Sequence, residues 1–264
     1  MIYIATHKEF DNPHLNNYIP LQVGAEGKQD LGYLKDNTGD NISEKNSNFC
    51  ELTGLYWIWK NCSDEYKGLV HYRRFFGKNN FSNNIKDVYS YEQLVQILEN
   101  SDIILPFVET FKQNAKDELL VRCCTEDIFL KLERIVKEKY PQYGTSFDKY
   151  FADNKSSLFN MMFCKKTIFN QYCGWLFDIL FELEKDVDIN KLDDYQKRLY
   201  GFLSERLLNV WVEHNQLIVY HVPVINIGMP VFNRATLIRR RITNKIFWKM
   251  NKLGVHTKWY MLVW

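Results

Sequence analysis

The sequence lacks the short motifs that identify the common nucleotide-dependent and hydrolytic enzymes. Only 12 of its 264 residues are glycine, and none of them forms a Gly-x-Gly-x-x-Gly fingerprint or a glycine-rich loop ending in Lys-Ser or Lys-Thr. This absence disfavours a dinucleotide-dependent oxidoreductase and a P-loop nucleotidase. No Ser-His-Asp arrangement and no His-Glu-x-x-His helix is recognisable, so the hydrolases built on those motifs are disfavoured as well.

The sequence also lacks pairs of cysteines spaced as in a metal or redox site. The six cysteines include no Cys-x-x-Cys motif, and most of them lie in apolar periodic segments. This usage is typical of a reduced cytosolic protein with buried thiols rather than of a disulfide framework or a zinc site. The adjacent Cys123 and Cys124 leave a redox-active pair as the less favoured alternative.

Long hydrophobic runs are absent too, and no segment has the apolar length that a membrane span needs. The first residues, Met1–Lys8, predict a strand and carry no signal-peptide pattern, which favours a cytoplasmic location. With 46% hydrophobic and 16% aromatic residues, the chain can bury a sizeable core. Its length suits one large domain, alone or with an appendage.

Acidic residues are missing from the end of the chain. Phe232–Trp264 contains eight lysines and arginines and no aspartate or glutamate, whereas residues 1–231 hold 26 basic and 32 acidic residues. Cations interleaved with isoleucine and tryptophan predict an amphipathic helix on an anionic membrane surface. Nucleic-acid binding is disfavoured because the body is acidic and has no reader motif, and a helix packed back on that body is the structural alternative. The breaks at Pro223–Pro230 separate a predicted domain, residues 1–230, from an extension, residues 231–264.

Apolar strand candidates alternate with amphipathic helix candidates before that boundary. The predicted strands are Ile2–Ala5, Ile19–Val23, Gly68–Tyr72, Asp102–Leu105, Leu158–Cys164 and Leu217–Tyr220. The predicted helices are one that follows Asn48, then Tyr91–Leu98, Glu126–Glu138, Thr167–Glu184 and Tyr195–Glu213. This alternation predicts an α/β fold with a mostly parallel sheet. For the first helix, Glu51 three residues after Asn48 predicts a capping box.

Basic side chains follow two of the predicted strands. His71, Arg73 and Arg74 end the segment that starts at Gly68, and His7 and Lys8 follow the first strand and Thr6. Guanidinium groups are costly to bury unpaired, and their planar fork suits phosphate oxygens. Because α/β sheets bind ligands at the carboxyl ends of their strands, these positions predict a phosphate-bearing ligand. Ion pairs with surface carboxylates are the alternative for the two arginines.

Two acidic segments have more than one interpretation. The loop Asp36–Asn46 is an asparagine- and aspartate-rich connector, a calcium-like site with the wrong spacing for the twelve-residue calcium loop, or a donor-binding loop beside the first strand. Glu205 lies in a markedly apolar helix, where desolvation would raise its pKa and suit it to act as a general base. A structural ion pair with Arg198 or Arg206 is the alternative for Glu205.

In chain order these segments resemble the nucleotide-sugar glycosyltransferases with a single Rossmann-like domain, the A-type fold. More specifically, the chain resembles the bacterial capsule and O-antigen glycosyltransferase family long known only as a domain of unknown function, some of whose members are galactofuranosyltransferases. The resemblance covers roughly residues 1–225. It rests on Asp36–Asn41 with Ser43–Asn46, Cys50–Thr53 with Leu55–Asn61, Val70–Arg74, Asn160–Met161 and Gly201–Arg206.

This resemblance implies a cytoplasmic enzyme at the inner face of the cell membrane. It is expected to move a sugar, such as galactofuranose, from a uridine-diphosphate sugar (UDP-sugar) to a lipid-linked glycan in capsule, exopolysaccharide or O-antigen synthesis. The acceptor-binding residues are expected to be Asn160 and Arg206, and the catalytic residue Glu205. The residues expected to bind the donor are Thr6, His7, Lys8, Asp40, His71, Arg73 and Arg74. Glu205 would deprotonate the acceptor in an inverting reaction, or stabilise or attack the anomeric carbon in a retaining one. A non-catalytic scaffold or sugar-nucleotide-binding subunit is the alternative.

One departure from the wider fold concerns the metal. Where metal-dependent members carry Asp-x-Asp on the middle strand, this chain has His71-Tyr72-Arg73-Arg74. Arginines can offset the charge of a diphosphate without a metal. No cofactor is therefore expected, and manganese or magnesium, if bound, is not expected to be essential. Asp102–Leu105, with Glu109 beyond it, is the alternative position for the acidic motif.

Overall fold

The computed structural model describes residues 1–79, 82–228 and 234–253. Its strands are β1 (Ile2–Thr6), β2 (Tyr18–Gln22), β3 (Leu34–Lys35), β4 (Tyr66–His71), β5 (Arg74–Phe76), β6 (Ile103–Pro106), β7 (Glu109–Thr110), β8 (Lys155–Ser156), β9 (Met162–Lys165), β10 (Val219–Val222) and β11 (Val224–Asn226). Its α-helices are α1 (Asn46–Phe49), α2 (Leu52–Asn61), α3 (Tyr91–Ile97), α4 (Ala115–Arg122), α5 (Glu126–Lys139), α6 (Gly144–Ala152), α7 (Lys166–Asp186), α8 (Leu199–His214) and α9 (Arg234–Lys252).

The central sheet is mostly parallel, as predicted, with the strand order β10-β6-β9-β4-β1-β2-β3. Parallel pairs join β1 to β2 and β4, β2 to β3, and β6 to β10. Only β9 on this path is reversed, because it pairs antiparallel with both β4 and β6. The carboxyl ends of β1, β2, β4, β6 and β10 therefore lie at one edge of the sheet, together with the amino end of β9.

Both faces of the sheet are covered at its centre, which explains why β1, β6 and β9 are mainly apolar. In β1 every residue is buried, and successive side chains point to opposite faces. Tyr3 and Ala5 belong to the larger core, which α1, α2 and α4 to α8 cover, and Ile2 and Ile4 to a smaller one. The smaller core is closed by α3 and by β5 with β11.

The predicted helix after Asn48 is divided in two, and its capping box is wrong. α1 ends at Phe49, Cys50 takes a left-handed conformation (φ 52°), and α2 starts after Glu51. The Asn48 amide donates to the Lys197 carbonyl over 2.9 Å, and no side-chain cap is present at either helix start. The sharp turn at Cys50 leaves Glu51 free to bind elsewhere in the fold.

Two other expectations about elements need correction. The predicted strand Leu158–Cys164 begins only at Met162, since Phe159 and Asn160 have left-handed φ values of 79° and 51°. The predicted break at Pro223 does not end the sheet, because β11 follows it at once and pairs with β5. Residues 229–233, inside the predicted boundary, lie outside the described residues.

The thiols of Cys123 and Cys124 are buried, and burial raises the pKa of both, that of Cys124 to about 12. A neutral thiol is a poor nucleophile, so these two cysteines act as small core residues, contrary to the redox alternative. In the part of the chain that the structure describes, no helix has both the length and the apolarity to cross a membrane.

Candidate functional site

The site lies where β4 turns into β5. β4 ends at His71, Tyr72 and Arg73 form the turn, and Arg74 starts β5 directly opposite His71. The turn is held on both sides, since Tyr72 N donates to the Ala5 carbonyl over 3.1 Å and Ile227 N donates to the Arg73 carbonyl over 2.8 Å. The sheet therefore presents these basic residues at its carboxyl edge.

The two arginines stack on different aromatic rings, and neither forms an ion pair with a carboxylate of the described residues. The Arg73 guanidinium lies 4.9 Å from the ring centre of Tyr72, and that of Arg74 lies 4.6 Å from the ring centre of Phe159. Among the described residues, arginine ion pairs involve other positions, namely Arg122, Arg134 and Arg206. Burial lowers the pKa of Arg74, against the attraction of Glu205 and Glu51. The surface ion pairs considered as the alternative for Arg73 and Arg74 are therefore not observed among the described residues.

The left-handed turn at Phe159 joins the basic and acidic halves of the site. Its carbonyl lies 2.6 Å from His71 Nε2, and its amide donates to Glu205 Oε1 over 2.8 Å. Since a carbonyl oxygen only accepts, His71 Nε2 carries the proton in this contact. Burial lowers the pKa of His71 and favours the neutral ring. A bulky residue with φ near 80° is strained by about 1–3 kcal/mol, and such strain concentrates at functional sites.

Asn160 binds the two helices that carry the acidic residues. Its amide nitrogen donates to Glu51 Oε1 over 2.7 Å and to the Gly201 carbonyl over 2.9 Å, and its oxygen accepts from Ser204 over 2.8 Å. The side chain is 2% exposed. Asn160 therefore positions Glu51 against α8, and the structure leaves it no free group for the acceptor contact predicted from the sequence.

Both carboxylate oxygens of Glu205 are occupied. Oε1 accepts from Phe159 N, and Oε2 accepts from the Arg206 guanidinium over 2.6 Å. The Arg206 side chain is 1% exposed and also pairs with Glu118. Burial raises the pKa of Glu205, Arg206 opposes this rise, and the charge of Glu51 adds to it. The predicted pairing of Glu205 with Arg206 is therefore present, and Arg206 is too deeply buried to face an acceptor.

Glu51 is the residue that the sequence-based reasoning missed. It is partly exposed, its Oε1 accepts from Asn160, and its charge affects the pKa values of His71, Arg74 and Glu205. Its Oε2 has no hydrogen-bond partner within the described ranges. The spacing from Asn48 to Glu51 matches a capping box, so the sequence pattern assigns Glu51 to helix capping. The structure instead directs its carboxylate at the sheet edge.

A cavity of about 640 Å³ adjoins the site at the carboxyl ends of β1 and β2. It is lined by His7, Lys8, Glu9, Gln22, Val23, Gly24, Lys28, Gln29, Leu31 and Asn46. Burial lowers the pKa of His7, and so do the charges of Lys8, Arg73 and Arg198, which places these cations around one ring. Thr6 lies beneath them, 1% exposed, with its hydroxyl donating to the Lys8 carbonyl over 2.6 Å.

The loop behind this cavity is built around a buried carboxylate. Asp36 accepts hydrogen bonds from Gly24 N and Ala25 N, over 2.7 and 3.0 Å, and from the Ser43 hydroxyl. Gly24 has φ of 63°, and a Cβ there would collide with the Asn46 side chain. The start of the asparagine-rich segment therefore shapes the cavity wall.

Asp40 and Asp102 lie away from the site. Asp40 contacts the second half of α2, where its carboxylate accepts from Tyr56 over 3.0 Å and lies 3.7 Å from the Lys60 ammonium. Glu51 lies at the other end of that helix, and Lys60 is about 13.5 Å from it along the helix axis. Asp102 precedes β6, where it accepts from Ile218 N at the opposite edge of the sheet. Among the described residues, no group of three or more His, Cys, Asp or Glu side chains could hold a metal ion.

The reversed strand within a parallel sheet and the polar edge beside it define an α/β protein of the A-type glycosyltransferase fold. Residues 1–216 match the family model described as "Domain of unknown function (DUF4422)", and the chain belongs to this family. No curated protein matches the chain.

A solved structure titled as the apo form of the WbbM bifunctional glycosyltransferase is similar to the chain. The two share 29% sequence identity, with a TM-score of 0.78 over 88% of this chain. The chain spans 46% of the length of that structure. The comparison supports a role in glycosyl transfer.

Proposed function

We propose that the protein transfers a sugar, with galactofuranose as the first candidate, from a UDP-sugar to a lipid-linked glycan in capsule, exopolysaccharide or O-antigen synthesis. The observation that carries this proposal is that two guanidinium groups, with no ion pair among the described residues, lie near carboxylates at one sheet edge, beside a cavity of ligand size. Cations suit the diphosphate of the donor, and a carboxylate suits proton removal from a hydroxyl.

The donor diphosphate is assigned to the cations around the turn at Tyr72. Arg73 and Arg74 would bind its oxygens, with Lys8 and His7 at the end of β1. Arg198, whose charge also affects His7, is a further cation at the start of α8. Because the described residues place no ion pair on Arg73 or Arg74, their charge is available to stabilise the leaving UDP.

The acceptor proton is assigned to one of two carboxylates. In a single displacement, the acceptor oxygen bonds to the anomeric carbon, the bond from that carbon to the UDP oxygen breaks, and the acceptor proton passes to the base. Glu51 suits this role because one of its oxygens is unoccupied and its side chain is partly exposed. Glu205, with both oxygens bound, would instead hold the Phe159 turn in place.

Attachment to an anionic membrane surface is assigned to α9. Ile238, Ile242 and Ile246, four residues apart, are 49–54% exposed on one side of the helix. The Asn244 amide is buried and donates to the Thr110 carbonyl over 2.6 Å, which ties α9 to β7. An exposed apolar stripe on a basic helix fits a location at the inner face of the cell membrane. The last residues of the extension, 254–264, lie outside the described residues.

The proposal is tested by UDP release from a panel of UDP-sugars, using the wild type and the variants Glu51→Gln, Glu205→Gln and Glu44→Gln. Glu44 is exposed, and its variant is the control. We expect Glu51→Gln to bind UDP within threefold of wild type but to lose about 100-fold or more in turnover, the scale of a general base. Turnover lost only in Glu205→Gln would restore Glu205 as the base. UDP binding without turnover of any sugar would favour the non-catalytic subunit.

A further inference from the structure

A second cavity, of about 460 Å³, is lined by residues other than those of the donor cavity. α6, α8, β8 and β10 form its walls, and we call it the α6–α8 groove. Its lining residues are Leu105, Val108, Lys149, Tyr150, Asp153, Lys155, Ser156, Asn209, Val212, Glu213, Gln216, Leu217, Val219 and His221. None of these residues belongs to the site described above.

The groove begins one helical turn from Glu205. Asn209 donates to the Glu205 carbonyl over 2.7 Å and to the Ser157 carbonyl over 2.9 Å, and its oxygen accepts from Ser157 N. Ser157 leads directly into the strained turn at Phe159. From Asn209 the groove follows α8 to Glu213, a rise of about 6 Å, and continues past the end of the helix to Gln216. A ligand in it would therefore have one end near the Phe159 turn, which contacts His71 and Glu205.

The charges that line the two cavities differ. In the α6–α8 groove, Lys149 and Lys155 are balanced by Asp153 and Glu213, and Lys149 pairs with Glu213. The donor cavity instead has Lys8 and Lys28 against Glu9, with Arg73 and Arg198 nearby. A cationic cavity suits a diphosphate, whereas a charge-balanced groove suits an uncharged ligand that needs both donors and acceptors.

Hydrogen-bonding groups and apolar surface are both available in the groove. His221 is held by its Nδ1, which lies 2.9 Å from the Pro106 carbonyl, so Nε2 remains for a ligand. Lys155 and Asp153 are exposed, while Leu105, Val212 and Val219 supply apolar contacts. A saccharide has hydroxyl groups that can bind to these polar side chains and carbon–hydrogen faces that can pack on the apolar ones.

The groove also lies next to the point where α9 is attached. Lys155 in β8 is paired with Thr110 in β7, and the Thr110 carbonyl accepts the hydrogen bond from Asn244 of α9. If α9 lies on a membrane, this single strand pair connects the membrane helix to the groove wall. A glycan that extends from a lipid in the same membrane would be close to the groove.

We propose that the α6–α8 groove binds an uncharged oligosaccharide, the glycan of the acceptor, next to its terminal sugar. This inference rests on the proposed function. In it, the residues of the groove bind the acceptor in place of the buried Asn160 and Arg206. It predicts that acceptor recognition and donor recognition depend on two separate sets of residues.

The test measures binding of two ligands to the same variants. The probes are UDP and a panel of octyl glycosides of neutral di- and trisaccharides, with a sialylated trisaccharide as the charged counterpart. Methyl NMR signals of Leu105, Val212, Leu217 and Val219 report on the groove. Val108→Trp fills the groove from a position that is 38% exposed, and Lys155→Ala and His221→Ala remove polar contacts. Lys191→Ala, at an exposed lysine after α7, is the control.

We expect at least one neutral glycoside to shift the groove methyl signals and the charged one to bind at least fivefold more weakly. Val108→Trp should weaken glycoside binding at least tenfold and leave UDP binding within twofold of wild type, with an unchanged melting temperature. The proposal is overturned if no panel member shifts these signals, or if Val108→Trp leaves glycoside binding unchanged. If the wild type neither binds UDP nor turns over any UDP-sugar, the proposed function itself is refuted.

Discussion

At the scale of single residues, the backbone of Phe159 organises the site. The amide of Phe159 binds Glu205 and its carbonyl binds His71, so a strained residue is held between an acid and a base. Behind it, Arg206 lies between Glu205 and Glu118, with side chains 1%, 16% and 10% exposed. A buried arginine between two carboxylates contributes more to holding the geometry than to net stability.

Replacement of Arg206 by methionine should destabilise the fold by about 3–5 kcal/mol at neutral pH, because two buried carboxylates lose their shared cation. Burial already raises the pKa of Glu205, and loss of the guanidinium that opposes this shift would raise it further. An acid with a raised folded-state pKa destabilises the fold as the pH increases through that pKa. Urea unfolding should therefore show a larger loss at pH 8 than at pH 5. An equal loss at both pH values would contradict this account.

Arg74→Lys should weaken UDP binding and turnover by about 10- to 100-fold, the range expected when a hydrogen bond to a charged group is lost. Lysine keeps the charge but loses the planar fork and the stacking on Phe159. Calorimetric titration with UDP and steady-state kinetics measure the two effects. Arg134→Lys, at an exposed pair with Asp186, is the control. Wild-type affinity in Arg74→Lys would remove this residue from the donor site.

At the scale of elements, the reversed strand β9 decides which loops meet. Since β9 runs against β4 and β6, the turn before it reaches the same edge as the turns after β1 and β4. α8 contributes Glu205 and Asn209, four residues apart on one face of the helix, and they bind Phe159 and Ser157 in the turn before β9. α9 is the exception among the helices, because its isoleucine stripe is exposed.

Ile242→Asp and Ile246→Asp, made together, should reduce binding to anionic lipid vesicles at least tenfold, since each change puts a carboxylate into the apolar stripe. Vesicle sedimentation at low and high salt measures this effect, and neutral vesicles should bind the wild type weakly. Val121→Asp, at a residue 64% exposed on α4, is the control. Equal vesicle binding by wild type and double variant would argue against the membrane role of α9.

At the scale of the whole molecule, the matched structure and the chain differ in extent. The chain spans 46% of a protein whose title describes a bifunctional glycosyltransferase. Within the described residues, the proposed donor cavity and the α6–α8 groove have no lining residue in common. The two proposed binding sites can therefore be tested separately by substitution.

Turnover of the preferred UDP-sugar should persist in excess EDTA, at no less than half of its rate with manganese. The physical reason is that two guanidinium groups, those of Arg73 and Arg74, can offset the charge of the diphosphate without a metal ion. UDP release with and without chelator is the measurement. Loss of turnover in EDTA and its recovery with manganese would refute metal independence.

Much of the fold could be predicted from local pattern. The first strand, the strand before His71 and the helices after Tyr91, Glu126 and Lys166 were all recognisable, because their apolar spacing has a regular period. The turns at Cys50 and Phe159 were not, since left-handed φ values at residues other than glycine have no sequence signal. Both errors fell on the residues that build the site.

The sequence by itself determined the α/β class, the basic turn after β4 and the basic helical extension, because each depends on residues close together in the chain. Only the tertiary structure decided which charges are paired. Glu205 and Arg206 proved to be a buried pair, Arg73 and Arg74 have no ion pair with any described carboxylate, and Glu51 emerged beside them. The contact of Glu51 with Asn160 joins residues 109 positions apart, and packing rather than local propensity brings them together.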